Sequence, residues 1–250
     1  MHLTSLGYEV DGVSYCGMLA DGSDGVRVPG ILLAHEGGGF LTDHPKERAE
    51  MIARLGFVVF ALDLFGDPRP SLDRAREIVK QLRADRPALR ARVTAAFELL
   101  KRQSHVDPAR IGAVGYCFGG TALLELARSG AAVACTVGLH AGLTTAGPDE
   151  ARKICGKVLV CQGTADPVVT AEQRDAFARE MTLAGVDWQM HLYGGVGHSF
   201  TNLAIDAWHI PGFAYDAAAD RRSFHAMRDL FDETLAQRPA APSSSSKRVR

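Results

Sequence analysis

The sequence predicts an α/β fold: a mostly parallel twisted sheet with helices on both faces and a short antiparallel hairpin at the N-terminus. Three observations predict it. Strand-sized apolar runs alternate with segments of helical spacing along most of the chain. The opening segment Tyr8–Ala20 is split by Asp11-Gly12, a strong hairpin signal. No internal repeat interrupts the alternation.

In chain order, the strands after the hairpin are Gly30–His35, Phe57–Asp63, Ile111–Gly115, Ala132–Leu139, Lys157–Gln162 and Trp188–Tyr193. The first helix, Pro45–Leu55, has proline at its start and Gly56 past its end. Leu72–Leu82 and Pro87–Arg102 carry apolar residues at helical spacing, and Gly119–Ser129 stops at Gly130. Thr170-Ala-Glu-Gln173 is a capping box opening a helix towards Gly185. Asp216 caps a last helix whose Phe224, Met227, Phe231 and Leu235 form one apolar stripe.

The 250 residues are 46% hydrophobic and 23% charged, enough for one globular domain with a large core. Residues 1–237 read as that domain. The Pro/Ser-rich and then basic 238–250 read as a disordered tail. A net charge of −1 gives no electrostatic reason to expect nucleic acid or an anionic membrane as partner. The apolar runs are too short to span a bilayer, and the N-terminus lacks the pattern of a secretory signal. Five cysteines without CxxC spacing argue against a disulfide framework or a structural zinc and for reduced thiols in the cytoplasm. Cys16, Cys135 and Cys161 lie in apolar runs and are expected in the core. Oligomeric state is left open.

The chemistry centres on Gly115-Tyr116-Cys117-Phe118-Gly119, between a strand and a helix. This is the strand–turn–helix context of a nucleophile elbow, with cysteine where serine is common. Glycines flank the nucleophile because the turn is sharp. The central sulfur projects at a helix N-terminus, which favours thiolate over thiol. A cysteine nucleophile needs a base, and the base needs an orienting acid. In chain order, Asp166 follows one buried strand and His198 follows the next. His191 lies inside a strand and His140 ends a different one, so both are weaker candidates for the base; Asp63 precedes Cys117, the wrong order.

Upstream, the first parallel strand runs into His35-Glu36-Gly37-Gly38-Gly39-Phe40. Gly37 is the candidate second oxyanion donor, beside the Phe118 amide. Glu36 is a carboxylate able to take a thiol proton or bias His198 by its charge. No Gly-Lys-Ser/Thr follows, so this is not a phosphate loop.

His35-Glu36-Gly37, Gly115 to Gly120, Gly163 to Asp166, Gly197-His198-Ser199-Phe200 and Ala214–Phe224 together resemble the dienelactone hydrolase (carboxymethylenebutenolidase) family of the α/β-hydrolase superfamily. The resemblance spans roughly residues 5 to 235. It implies the α/β-hydrolase fold, a Cys117–His198–Asp166 triad, an oxyanion hole from Phe118 and Gly37, and no metal or organic cofactor. It also implies a thiol that rests against Glu36 and swings to His198 when substrate binds. The family holds a substrate carboxylate with two arginines. Here the first is Arg69, Arg83 or Arg86, with no ground for choosing. No arginine lies just after His198, so the namesake dienelactone does not follow. Phe40, Phe65, Phe118, Ser199 and Phe200 are the remaining candidates around the substrate.

The expected function is hydrolysis of small ester or lactone bonds, with the substrate as the only partner. Two other readings share the cysteine elbow: a DJ-1-like cysteine enzyme, which the Asp166 and His198 loops and the hairpin argue against, and a non-catalytic ligand-binding relative, which the intact set of partners argues against.

Overall fold

The computed structural model describes residues 3–67 and 69–236; the 238–250 tail lies outside them. Eight strands form one sheet in the order β1-β2-β4-β3-β5-β6-β7-β8. The hairpin β1 (Leu3–Val10) and β2 (Val13–Asp21) joins β4 (Val58–Leu62) antiparallel through β2. From β4 on, β3 (Val28–Ala34), β5 (Val106–Tyr116), β6 (Cys135–Leu139), β7 (Lys157–Gly163) and β8 (Trp188–Tyr193) pair in parallel. This is the α/β-hydrolase arrangement expected from the sequence.

Two helices cover one face of the sheet. α1 (His44–Ala53) and α6 (Ala217–Leu235) bury Ile52, Met227, Phe231 and Leu235 against Ile31, Leu33, Val137 and Leu159. The other face takes α2 (Leu72–Ala84), α3 (Arg86–Lys101), α4 (Phe118–Arg128) and α5 (Ala171–Ala184). Each fully buried Leu, Ile or Phe contributes roughly 1.5–3 kcal/mol of transfer free energy. That burial, more than helix propensity, holds the layers together.

The helix ends follow the local chemistry. Ser71 accepts from Arg74 N and opens α2; Asp85 accepts from Ala88 N and opens α3. The Thr170–Gln173 capping box opens α5, and Gly185, at φ 72°, closes it. Asp216 accepts from Ala218 N and Ala219 N to open α6.

Three expectations need correction. β5 starts at Val106, because Val28 and Pro29 pair with Val106 and Asp107 before the register shifts to Gly30–Ile111. Residues 108–110 lie between the two registers as an irregularity within the strand. β6 starts at Cys135. Cys16 is exposed, unlike Cys135 and Cys161. Tyr15 and Gly17 take the buried face of β2, so strand alternation turns Cys16 outward. Among the described residues no helix is long and apolar enough to cross a membrane.

Candidate active site

The parallel strands β3, β5, β7 and β8 lead into loops at the carboxyl edge of the sheet, where ligands of open α/β sheets bind. At the end of β5, Cys117 adopts φ 50°, ψ −116°, a conformation rare for a residue with a side chain. The flanking glycines make this turn possible. A Cβ on Gly115 would stand 2.4 Å from the Gly119 carbonyl group, and one on Gly119 would stand 2.3 Å from Ala34 O. Cys117 is thus the residue before α4. Phe118, the first residue of that helix, has a backbone N–H that no intrahelical acceptor can satisfy.

His198 Nε2 lies 3.1 Å from Cys117 Sγ, and His198 Nδ1 lies 2.7 Å from Asp166 Oδ2. Asp166 is held in turn: its Oδ1 accepts from Val168 N at 2.7 Å and Val169 N at 3.2 Å. The backbone of His198 is clamped by Gly212 O and Ala214 N, and its ring packs 4.6 Å from that of Phe213. Burial alone would lower the His198 pKa. The charge and hydrogen bonds of Cys117 and Asp166 outweigh burial and raise it to about 10.

The loop after β3 is fixed from below. His35 Nδ1 donates to Glu36 O at 2.7 Å, and its Nε2 accepts from Leu64 N at 3.1 Å. Asp63 is a brace rather than a catalytic acid, since its carboxylate accepts from the amides of Cys16, Phe65 and Gly66. Glu36 is buried, which raises its pKa against the lowering effect of hydrogen bonds from Asn202 and Ser199. Its Oε2 accepts from Asn202 Nδ2 at 2.5 Å, and its Oε1 has no hydrogen-bond partner among the described residues.

Cys117, His198, Glu36, Gly37 and Ser199 border one cavity of about 450 Å³. Leu72, Val79, Val168, Ile205, Trp208 and Phe213 supply apolar wall, and α2 adds Arg76, Lys80 and Arg83. These cations recur at helical spacing and so share one face. The Arg83 guanidinium also lies 5.9 Å from the centre of the Phe118 ring.

Of the sequence-derived substrate candidates, only Arg83 and Ser199 border this cavity. Phe40 and Arg69 border a separate groove that shares Trp208. Phe65 packs 4.7 Å from His35, and Phe200 is fully buried against His140 and Tyr193. Phe118 presents its buried ring to the core and leaves only its amide to the elbow. Arg86 is engaged with Glu150 at 2.7 Å and Glu125 at 3.5 Å. Sequence reasoning missed Arg76, Lys80, Trp208, Phe213 and Asn202. The spacing of the cations on α2 was the one available signal.

Residues 17–235 match the model of the "Dienelactone hydrolase family". The chain is 42% identical to a solved structure named "m3DLH", with a TM-score of 0.89, covering 94% of this chain and 99% of that one. It is 36% identical to the dienelactone hydrolase-like promiscuous phosphotriesterase P91 from metagenomic libraries, with a TM-score of 0.88 and coverage of 94% and 99%. A probable 2-oxo-3-(5-oxofuran-2-ylidene)propanoate lactonase from Bradyrhizobium sp is 27% identical over 194 residues, 73% of this chain and 77% of that protein. The match over nearly the whole fold, with the elbow and both loops inside it, places the chain in the dienelactone hydrolase family, as a carboxylic ester hydrolase.

Proposed function

We propose that the chain hydrolyses small ester or lactone bonds through Cys117, with His198 as base and acid and Asp166 as the group that orients it. The observation that carries this reading is the unbroken line from Asp166 Oδ2 through both His198 nitrogens to Cys117 Sγ, at 2.7 and 3.1 Å. The imidazole already holds the thiol proton, in keeping with a His198 pKa raised to about 10, and the thiolate sulfur attacks the carbonyl carbon. The carbonyl oxygen becomes an oxyanion, held by the N–H groups of Phe118 and Gly37. The C–O bond then breaks, and His198 returns its proton to the leaving alkoxide. Water, deprotonated by His198, attacks the thioester, and the thiol leaves with that proton as the acid product departs.

Glu36 modulates the thiol in this reading. Its burial and raised pKa suit a group that exchanges a proton with the sulfur when the side chain turns from His198. Arg83 is the arginine of choice for a substrate carboxylate, because Arg69 and Arg86 do not border the cavity. The apolar wall favours an acyl group with hydrophobic surface beside that charge. A phosphotriester is a second reading, favoured by the activity named for the 36% identical P91. Five free cysteines support a cytoplasmic location.

The test is an assay of purified protein on p-nitrophenyl acetate, a dienelactone and p-nitrophenyl diethyl phosphate, with Cys117→Ala as control. Hydrolysis with an acyl adduct on Cys117 by intact mass is expected for at least one carboxylic ester. Ester turnover untouched by Cys117→Ala would overturn the mechanism. Turnover of the phosphate alone would favour the second reading.

A further inference from the structure

A buried polar chain lies beneath Cys117, and none of the hydrolytic steps above uses it. It begins at the nucleophile's own backbone. The Cys117 N–H, 2.9 Å from Leu139 O, is also 3.1 Å from His140 Nδ1. His140 Nε2 is 2.9 Å from the Thr201 hydroxyl, and that hydroxyl is 3.1 Å from His44 Nε2. Arg48 Nε reaches the same His44 nitrogen at 3.3 Å, while Arg48 also pairs with Asp220 at 2.8 Å.

Both ends of this chain are obligate donors, a backbone amide and a guanidinium. That leaves one arrangement of protons. His140 Nδ1 accepts from Cys117, so His140 Nε2–H donates to Thr201 Oγ1. The Thr201 proton then goes to His44 Nε2, which accepts from Arg48 as well. Both imidazoles are neutral, in keeping with burial, which holds each below the usual histidine range. A second proton on His140 has no place, because Nδ1 faces an N–H.

The backbone is unusual at the same point. Cys117 and His140 both have positive φ, 50° and 41°. Such conformations cost about 1–3 kcal/mol each and persist only where the surroundings over-determine them. His140 directly follows β6 beside the elbow, and Thr201 lies three residues beyond His198.

We propose that His140 is a positioning residue: its ring joins the Cys117 backbone to Thr201, and so fixes the spacing between the nucleophile elbow and the loop that carries His198. The inference rests on Cys117 acting as the nucleophile. His140 touches neither substrate nor sulfur; it acts through the backbone that aims both. The groups that share this region stay unchanged in the variants below: Asp166 and Glu36, whose Oε1 is 3.8 Å from His140 Nε2, His44 and Arg48 behind the ring, and Arg76, Lys80 and Arg83 across the cavity.

Three substitutions separate the two ends of the ring. His140→Asn puts an amide oxygen near the place of Nδ1, keeps the acceptor for Cys117 N–H and tolerates positive φ. His140→Gln carries its amide out towards Thr201 and leaves the Cys117 end empty. His140→Phe fills the space and keeps neither bond. All are made with Cys16→Ser and Cys155→Ser, because those two thiols are exposed. The readouts are iodoacetamide labelling of Cys117 by intact mass between pH 5 and 9, kcat and KM on p-nitrophenyl acetate, and melting temperature.

His140→Phe is expected to slow labelling at pH 6 about tenfold relative to pH 9, and to lower kcat about tenfold or more with KM little changed, since small misplacements of reacting groups carry penalties of this order. His140→Asn is expected to recover most of both, and His140→Gln neither. The proposal is overturned if His140→Phe keeps the parental labelling profile, or if all three variants lose rate only in step with melting temperature. Labelling needs no ester. A parent protein inert to esters whose labelling still depends on His140 would overturn the proposed hydrolysis and uphold this inference.

Discussion

His198 Nε2 faces Cys117 Sγ at 3.1 Å, whereas Glu36 Oε2, on the same cavity, accepts from Asn202 Nδ2 at 2.5 Å. The sulfur is therefore engaged with the imidazole and the carboxyl is engaged elsewhere. The first prediction separates the two groups. Cys117→Ala should lower kcat by on the order of 10⁴-fold or more. Glu36→Gln, which keeps an acceptor for Asn202, should lower it by about tenfold at most. Steady-state kinetics on one ester, with melting temperatures alongside, checks both.

The second prediction concerns pH. In the proposed mechanism His198 delivers its proton to the leaving alkoxide, and the free protein loses that proton as pH rises through about 10. The alkaline limb of kcat/KM on an alkyl ester should fall there. Asp166→Asn removes one of the groups that raise the His198 pKa, so the limb should move to lower pH. The rate itself should drop by on the order of 10³–10⁴-fold. An alkaline limb that stays in place in Asp166→Asn would show that another group sets it.

The third prediction concerns stability in acid. The His44 pKa falls from 6.5 to about 3, first through burial and then through Arg48. Between those values the unfolded chain binds a proton that the folded chain refuses. The stabilisation is therefore fully present above pH 6.5 and is lost as pH falls towards 3. At about 1.4 kcal/mol per pKa unit the effect is several kcal/mol. Melting temperature should drop steeply below pH 6 in the parent protein. The drop should be shallower in His44→Gln, whose amide does not titrate.

The fourth prediction concerns the cavity. Arg83→Ala should raise KM for an ester bearing a carboxylate about tenfold and leave a neutral ester nearly unchanged. Equal losses on both esters, measured side by side, would remove Arg83 from substrate selection.

The fifth prediction tests the elbow. A Cβ at Gly119 would meet Ala34 O at 2.3 Å, and backbone gives way less readily than a flexible side chain. Gly119→Ala should destabilise the protein by several kcal/mol, or prevent folding, as read by denaturant unfolding.

Much of this molecule is legible in its residues, and the rest shows where local reasoning stops. The order of strands and helices follows from apolar periodicity and from cap residues such as Thr170 and Asp216, which act within a few residues. The elbow is legible because Gly115 and Gly119 answer a local steric demand. Cys16 was misread because an apolar run does not say which face of a hairpin meets the core. Phe65 and Phe200 lie in loops at the strand ends, but an aromatic ring in such a loop is as easily core as cavity wall, and these two are core. The bond between His140 and Thr201 spans 61 positions and exists only once β6 and the His198 loop meet.

The division of labour between α2 and the strand ends has a further consequence. Cys117, Asp166 and His198 follow strands whose backbones are locked in the sheet, while Arg76, Lys80 and Arg83 share the helix α2. On the proposed mechanism, a change of charge along that helix would alter which molecules are admitted while leaving Cys117, Asp166 and His198 in place. With the proposed triad, such a fold would let selectivity drift while reactivity stays constant, and a lineage built on it would change substrates one helix residue at a time.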